Sequence, residues 1–366
     1  MKPEMSVKER WLACLGMGPV DRMPFWPKIG GTYARRQPEP FRDMGAAELH
    51  AHIGSDTHSW VGSCLAEARR GQTGLSPSME GNLEVTQYVT PYGSLRQTAA
   101  YDPGTGSSHP VEYPVKRAED LKVMAAWYEG QDWAISPEGQ RIAERVVERA
   151  GGDAVFAVDA GTTPIMWFMQ NLAGIEVGHY LLADRPDLVE ELLTAMMRPL
   201  LRRCALIAEY CPADVIYLIQ NTTTNILSPD QYRRYEKREA QAALRVLKAS
   251  GKPVVLHMCG HLRAILPDLA ELGADAFEAF TPPTVGDATL AQGRAACPDT
   301  CLIGGTNASW WTTEADSLIG NLGESLDSLP HHRGIAVTSA GMMPQSAPVG
   351  LIKEVCEWVR AYPARM

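Results

Sequence analysis

The chain lacks every feature that would take it out of the class of acidic globular proteins. No apolar run reaches the roughly 18 residues needed to span a bilayer, so no membrane association is expected. The opening "MKPEMSVKERWLACLGMG" has neither the uninterrupted apolar core nor the small-residue cleavage site of a secretory signal. Basic residues are outnumbered, 34 Lys and Arg against 43 Asp and Glu, for a formal charge of −9. With no local Lys/Arg run, a general nucleic-acid surface is excluded. The eight cysteines (14, 64, 204, 211, 259, 297, 301 and 356) show no framework spacing, so a reduced, cytoplasmic protein is expected. There is no internal repeat, no low-complexity tract, and no early glycine-rich phosphate-binding fingerprint.

What is present is alternation. From about residue 150, short apolar runs trade places with longer amphipathic segments. "AVFAVD" (154–159) reads as a strand, and "RPDLVEELLTAMMRPLLRRCALIAEY" (185–210) as a helix with Pro186 in its first turn. "ADVIYLI" (213–219) is a strand. "SPDQYRRYEKREAQAALRVLKAS" (228–250) is a helix that opens on Ser-Pro and stops at Gly251. The pattern continues through "PVVLHM", "ADAFEAF", "CLIGGT" and "GIAVTSA", each followed by a helical segment. Five or more βα units in series imply a parallel sheet, and so many in 366 residues favour one closed (β/α)8 TIM barrel, an α/β fold, spanning residues 1–366. The first 150 residues are less regular. Residues 82–102 read as a β-hairpin around Pro91-Tyr92-Gly93, inserted between an early barrel strand and helices near 117–150.

In a parallel barrel the functional groups stand at the C-terminal ends of the strands. His257 and Cys259, in "VVLHMCGHLRAIL" (254–266), follow such a strand two residues apart, so both side chains face the same way. The next strand supplies Glu278. Neighbouring strands lie about 5 Å apart, so imidazole, thiolate and carboxylate could meet at one zinc ion. The same pair would serve equally as packing at a buried strand end. Other strand-end groups are candidate substrate contacts: Lys28 and Tyr33 after the first strand, Asp159, Gln220 and Asn221, and Asn307 after "LIGGT". His261 is expected to start the next helix. His50/His52 and His331/His332 read as surface pairs, and Trp310 and Trp311 as either a lid or core.

Several segments resemble the uroporphyrinogen decarboxylase superfamily. "ERWLACLGMGPVDRMPFWP" (9–27) is similar to its opening helix and Asp-Arg-x-Pro. "AGTTPIMWFMQNLAGIEVGHYLLADRPDLVEELL" (160–193) is similar to the segment that normally carries Gly-Pro-Phe-Thr, and "SAGMMPQSAPVGLIKEVCEWV" (339–359) to the closing loop and helix. The decarboxylases use an Arg-Gln-Ala-Gly-Arg-Tyr segment for a polycarboxylate. Here "KIGGTYARR" puts Lys28 and Thr32 at the two arginines, which speaks against that substrate. His-x-Cys at a middle strand resembles the branch of corrinoid-linked zinc methyltransferases such as methylcobamide:coenzyme M methyltransferases. Cobalamin-independent methionine synthases add a Glu one strand later, matched by Glu278.

That resemblance implies a zinc-dependent methyltransferase with His257, Cys259 and Glu278 as metal ligands and catalytic residues. It implies methyl transfer between a methylcorrinoid (cobalamin) on a partner protein and a thiol or methoxy-type small molecule. The relatives add a later cysteine where this chain has "VTSAGMMPQSAP" (337–348), so an exogenous ligand would complete the shell. The alternatives are a metal-independent decarboxylase or lyase, with Lys28, Arg35 and Arg36 anchoring a small acid, and a non-catalytic barrel.

Overall fold

The computed structural model describes residues 4–102 and 107–366. Fourteen strands are found among them: β1 (Phe25–Trp26), β2 (His58–Trp60), β3 (Leu65–Arg69), β4 (Gly74–Glu80), β5 (Leu83–Thr90), β6 (Gly93–Asp102), β7 (Ser107–Glu112), β8 (Gln131–Ile135), β9 (Val155–Thr162), β10 (Val215–Ile219), β11 (Val254–His257), β12 (Ala276–Phe280), β13 (Cys301–Gly305) and β14 (Ile335–Thr338). Eight of these form one parallel sheet in the order β1-β14-β13-β12-β11-β10-β9-β2, with helices between successive strands. This is a (β/α)8 barrel. Its ladder is continuous except between β1 and β2, which are joined at their lower end through Asp56: its backbone N–H donates to Phe25 O, and its carboxylate accepts from Phe25 N at 3.0 Å.

Strand periodicity divides the apolar residues into two sets. Val155, Ala157, Val215, Tyr217, Val255, Ala276, Ile303 and Ala336 pack inside the barrel. Val158, Ile216, Leu218, Val254, Leu256, Phe277, Leu302 and Val337 face the surrounding helices. The helix Val7–Leu15 sets Trp11 and Cys14 against the interior set. It starts where it does because Ser6 and Glu9 form a reciprocal capping box.

The insertion is larger than one hairpin. β5 and β6 pair across Pro91-Tyr92, but β4 and β7 flank them in a four-stranded antiparallel sheet, and β3 pairs with β8 as a separate ribbon. Sequence reading misses β4 and β7 because their residues are largely exposed and lack a clean apolar alternation. No described helix is long and apolar enough to cross a membrane. His50 and His332 are buried, not surface residues: each ring is used by local hydrogen bonds, to Ser55 Oγ at 2.8 Å and to Leu326 O at 3.1 Å. Trp311 is core, its indole N–H donating to Thr306 Oγ1 at 2.9 Å.

Asp56 is the keystone of the open seam. Its fully buried carboxylate accepts from Arg10 at 2.6 Å and Arg22 at 2.5 Å as well as from the backbone of β1. Removing one partner of a buried pair strands the other charge. Asp56→Ala is expected to cost about 3–5 kcal/mol, read as a lowered urea midpoint with an unchanged slope.

Candidate active site at the barrel rim

Four non-glycine residues adopt left-handed backbone conformations around the same rim: Lys28 (φ 49°), Asn221 (φ 51°), Ala279 (φ 62°) and Ala340 (φ 67°). Each stands at or just past the C-terminal end of a barrel strand, β1, β10, β12 and β14 in turn. Such conformations are unfavourable for L-residues and collect where surrounding structure enforces them, commonly at functional sites.

Lys28, His257, Cys259 and Glu278 meet at this rim. β11 and β12 are in register, with His257 opposite Glu278. The alternation that turns Val255 and Ala276 inward turns His257 and Glu278 inward too, one step nearer the rim. Glu278 is 1% exposed and accepts two charged donors. Lys28 Nζ donates to Oε1 at 2.7 Å, and His257 Nδ1 engages Oε2. The Lys28 ammonium also lies 5.2 Å from the Trp26 ring centre. Cys259 is the one exposed cysteine. Its thiol donates to Asn221 Oδ1 at 3.6 Å, while Asn221 Nδ2 donates to Gln170 Oε1 at 3.0 Å. The left-handed turn at Asn221 is held by its backbone N–H, which donates to His257 O at 3.1 Å.

Burial works against every charge here, and pairing overcomes it. Burial pushes the Glu278 carboxyl up, yet the Lys28 and His257 charges hold it down at about 2. Burial pushes His257 down, yet the Glu278 charge and hydrogen bonds to Cys259 and Glu278 raise it to about 9. Across neutral pH the trio carries two positive charges and one negative.

The remaining candidates lie elsewhere. Tyr33 is buried and its hydroxyl donates to Ala347 O at 2.6 Å, tying the segment after β1 to the loop before the last helix. Asp159 turns outward: its carboxylate accepts from Gly161 N at 2.7 Å and lies 4.0 Å from Arg203 on the outer helix Pro186–Tyr210. Asn307 is fully buried and saturated by its loop, donating to Pro283 O and accepting from Ser309 N, Ser309 Oγ and Trp310 N. Gln220 lies at the level of His257 but turns toward the helical layer, its Nε2 donating to the buried Glu236 at 2.9 Å. Of the polar candidates, only Lys28 and Asn221 join the cluster. Sequence reasoning missed Gln170 and an aromatic group of Trp26, His58, Trp60 and Tyr217. His58 and Trp60 belong to a three-residue strand, too short to show a period.

The residues match zinc in kind: an imidazole, a thiol and a carboxylate on adjacent strand ends. A buried carboxylate that already gathers two cations is also a place where positive charge is stabilised. In the arrangement seen, no three His, Cys, Asp or Glu side chains among the described residues converge on one point. Glu278 bridges Lys28 and His257 instead. An ion held by all three donors requires the direct His257–Glu278 contact to open, while Glu278 Oε1 keeps its bond to Lys28. Ser339 does not replace the later cysteine, because its hydroxyl donates to backbone carbonyls of Pro27 and Gly341.

The pairing has a pH signature in metal-free protein. The His257 contribution to stability is full below its ordinary 6.5 and is lost as pH rises through about 9. The Glu278 contribution is full above its ordinary 4.5 and is lost as pH falls through about 2. In Glu278→Gln, burial acts on His257 without its counter-charge. NMR titration is expected to place the wild-type ring near 9 and the variant ring below 6.5.

The sequence profile described as uroporphyrinogen decarboxylase (URO-D) matches residues 144–362, more than half of the chain. No curated protein matches it in sequence. Among solved structures, a methyltransferase from Methanosarcina mazei is similar, with TM-score 0.61 and 17% identity over 98% of both chains. A proposed vitamin-B12 independent methionine synthase from Listeria monocytogenes is more distant, with TM-score 0.42 and 12% identity over 63% of this chain and 70% of that one. At 17% identity the likeness to the Methanosarcina mazei protein speaks to fold alone. With the profile running from β9's leading helix to the last helix, and the barrel rim built as described, the chain belongs to the uroporphyrinogen decarboxylase family.

Proposed function

We propose that this barrel is a methyltransferase that moves a methyl group between a corrinoid on a partner protein and a thiol or methoxy-type small molecule. The observation that carries the reading is the rim cluster, in which Cys259 and His257 stand beside a buried, doubly paired Glu278. The fold shared with the Methanosarcina mazei methyltransferase supports it. His257, Cys259 and Glu278 would hold zinc. When bound, zinc supplies Lewis acidity, either holding a thiol as thiolate near neutral pH or polarising a methoxy oxygen. One exposed thiol makes a donor set poor in thiolate, which favours the methoxy use.

The chain's own residues have separable tasks. Asn221 orients the Cys259 sulfur through Oδ1 and is itself oriented by Gln170. In the metal-free form Glu278 fixes the His257 ring through Nδ1 and keeps a proton there, which zinc would displace. Lys28 neutralises Glu278 and leaves the rim with a net positive charge suited to an anionic leaving group. Water is restrained by the depth of the site, Glu278 being almost wholly enclosed. Decarboxylation of a small acid finds less support: Lys28 is committed to Glu278, and Arg35 and Arg36 are exposed.

Metal analysis tests the proposal. Purified wild type is expected to carry about one zinc per chain, and His257→Ala and Cys259→Ala to carry almost none. Wild type prepared without chelators and free of zinc would contradict it. Lys28→Met removes the ammonium that competes for Glu278, and is expected to tighten zinc roughly tenfold in a competition titration.

A further inference from the structure

Seven of the eight cysteines are buried, and four of them fall into two close pairs. Cys64 and Cys211, 147 residues apart in sequence, bring their sulfurs to 3.2 Å. Cys14 and Cys301 stand at 3.9 Å. The proposed methyl transfer uses none of the four. The surroundings of the two pairs differ. Cys14 and Cys301 are wholly enclosed in the barrel interior. Cys64 and Cys211 lie in the layer between strands and helices, and Cys64 lines a cavity of about 220 Å³ with Gly62, Ser63, Asp159 and Arg203.

The first pair joins separate parts of the fold. Cys64 stands between β2, a strand at the edge of the open seam, and β3, where the insertion begins. Its carbonyl accepts from Ser136 N at 2.9 Å, just past β8. Cys211 follows the helix Pro186–Tyr210, its N–H donating to Ile207 O at 3.1 Å. Lys252, on the turn before β11, donates from Nζ to Cys211 O. A hydrogen bond from the Cys64 thiol favours the Cys211 thiolate against its burial. The Ala213 N–H and the Lys252 charge add to it, and Cys211 is held at about 7. Thiolate is the form of cysteine that attacks an electrophile. The second sulfur needs to approach by only about 1 Å to reach bonding distance.

We infer that Cys64 and Cys211 are a modification site for small hydroperoxides, closing to a disulfide that fastens β2 and the root of the insertion to the end of helix Pro186–Tyr210. The thiolate attacks one peroxide oxygen: an S–O bond forms, the O–O bond breaks, and the departing oxygen takes up a proton. The second sulfur then attacks the sulfenic sulfur. The S–S bond forms, and hydroxide leaves with the proton of that thiol as water. Two electrons pass from the two thiols to the peroxide. The cavity beside Cys64 is several times the roughly 30 Å³ share of a water molecule, so hydrogen peroxide fits it. A small thiol reopens the bond by exchange, the reversible behaviour expected of a disulfide in a reducing compartment.

Peptide mapping of the full chain tests it without requiring turnover. Folded wild type is treated with hydrogen peroxide, its remaining thiols are capped with iodoacetamide, and it is digested without reduction. Mass spectrometry is expected to find peptides joined through Cys64 and Cys211, with Cys14 and Cys301 recovered as capped thiols. The oxidised protein should melt about 5 °C higher, because the bond closes a long loop of the unfolded chain. Dithiothreitol should reverse both changes, and Cys211→Ser and Cys64→Ser should show neither. A Cys64–Cys211 link that is absent from treated folded wild type, or that forms only in urea, overturns the inference. So does a melting temperature that oxidation leaves unchanged, or raises equally in Cys211→Ser.

Discussion

A carboxylate buried at the rim of a barrel must find positive charge, and Glu278 finds it twice. Lys28 reaches it from the turn after β1, and His257 from the neighbouring strand. Those two contacts tie the first strand of the barrel to its middle strands across the interior, and they set the protonation of His257 and Glu278. Cys259, two residues past His257, inherits its position from the same strand end. The chemistry proposed for the rim depends on this single anion being held charged where burial alone would neutralise it.

The barrel is built to hold that arrangement. Directly beneath His257 and Glu278 the inward residues are small or β-branched, Val255, Ala276, Ile303 and Ala336 filling the interior there. Left-handed turns at Lys28, Asn221, Ala279 and Ala340 ring the rim, and those at Lys28 and Asn221 bring side chains to Glu278 and Cys259, at a conformational cost the ladder must offset. The break in the ladder between β1 and β2 serves a different purpose. Asp56, gripped by Arg10 and Arg22, closes its lower end and lets the upper part stand open beside Lys28 without unravelling the sheet.

Much of this was legible in the sequence, for definite reasons. The barrel was readable because apolar runs and amphipathic helices alternate from residue 150 onward, each strand long enough to show its burial. His257 and Glu278 could be paired because strand ends in successive βα units must be neighbours. Lys28 could be placed near the cavity, but its bond to Glu278 could not, since 250 residues separate them. Asp159 pairs in register with Tyr217, but its carboxylate is taken up locally by Gly161 N and faces Arg203 of the outer helix. Asn307 and Tyr33 bond backbone carbonyls of neighbouring loops, a role a polar group at a strand end fills as readily as binding a substrate. The insertion's outer strands and the aromatic seam escaped because exposed or three-residue strands carry no period.

Zinc K-edge X-ray absorption on the purified protein tests the central claim most directly, because it counts donors by type. The account predicts a shell with one sulfur near about 2.3 Å, from Cys259, and nitrogen or oxygen donors at about 2.0–2.2 Å. A shell without sulfur, or one with two or more, would contradict it.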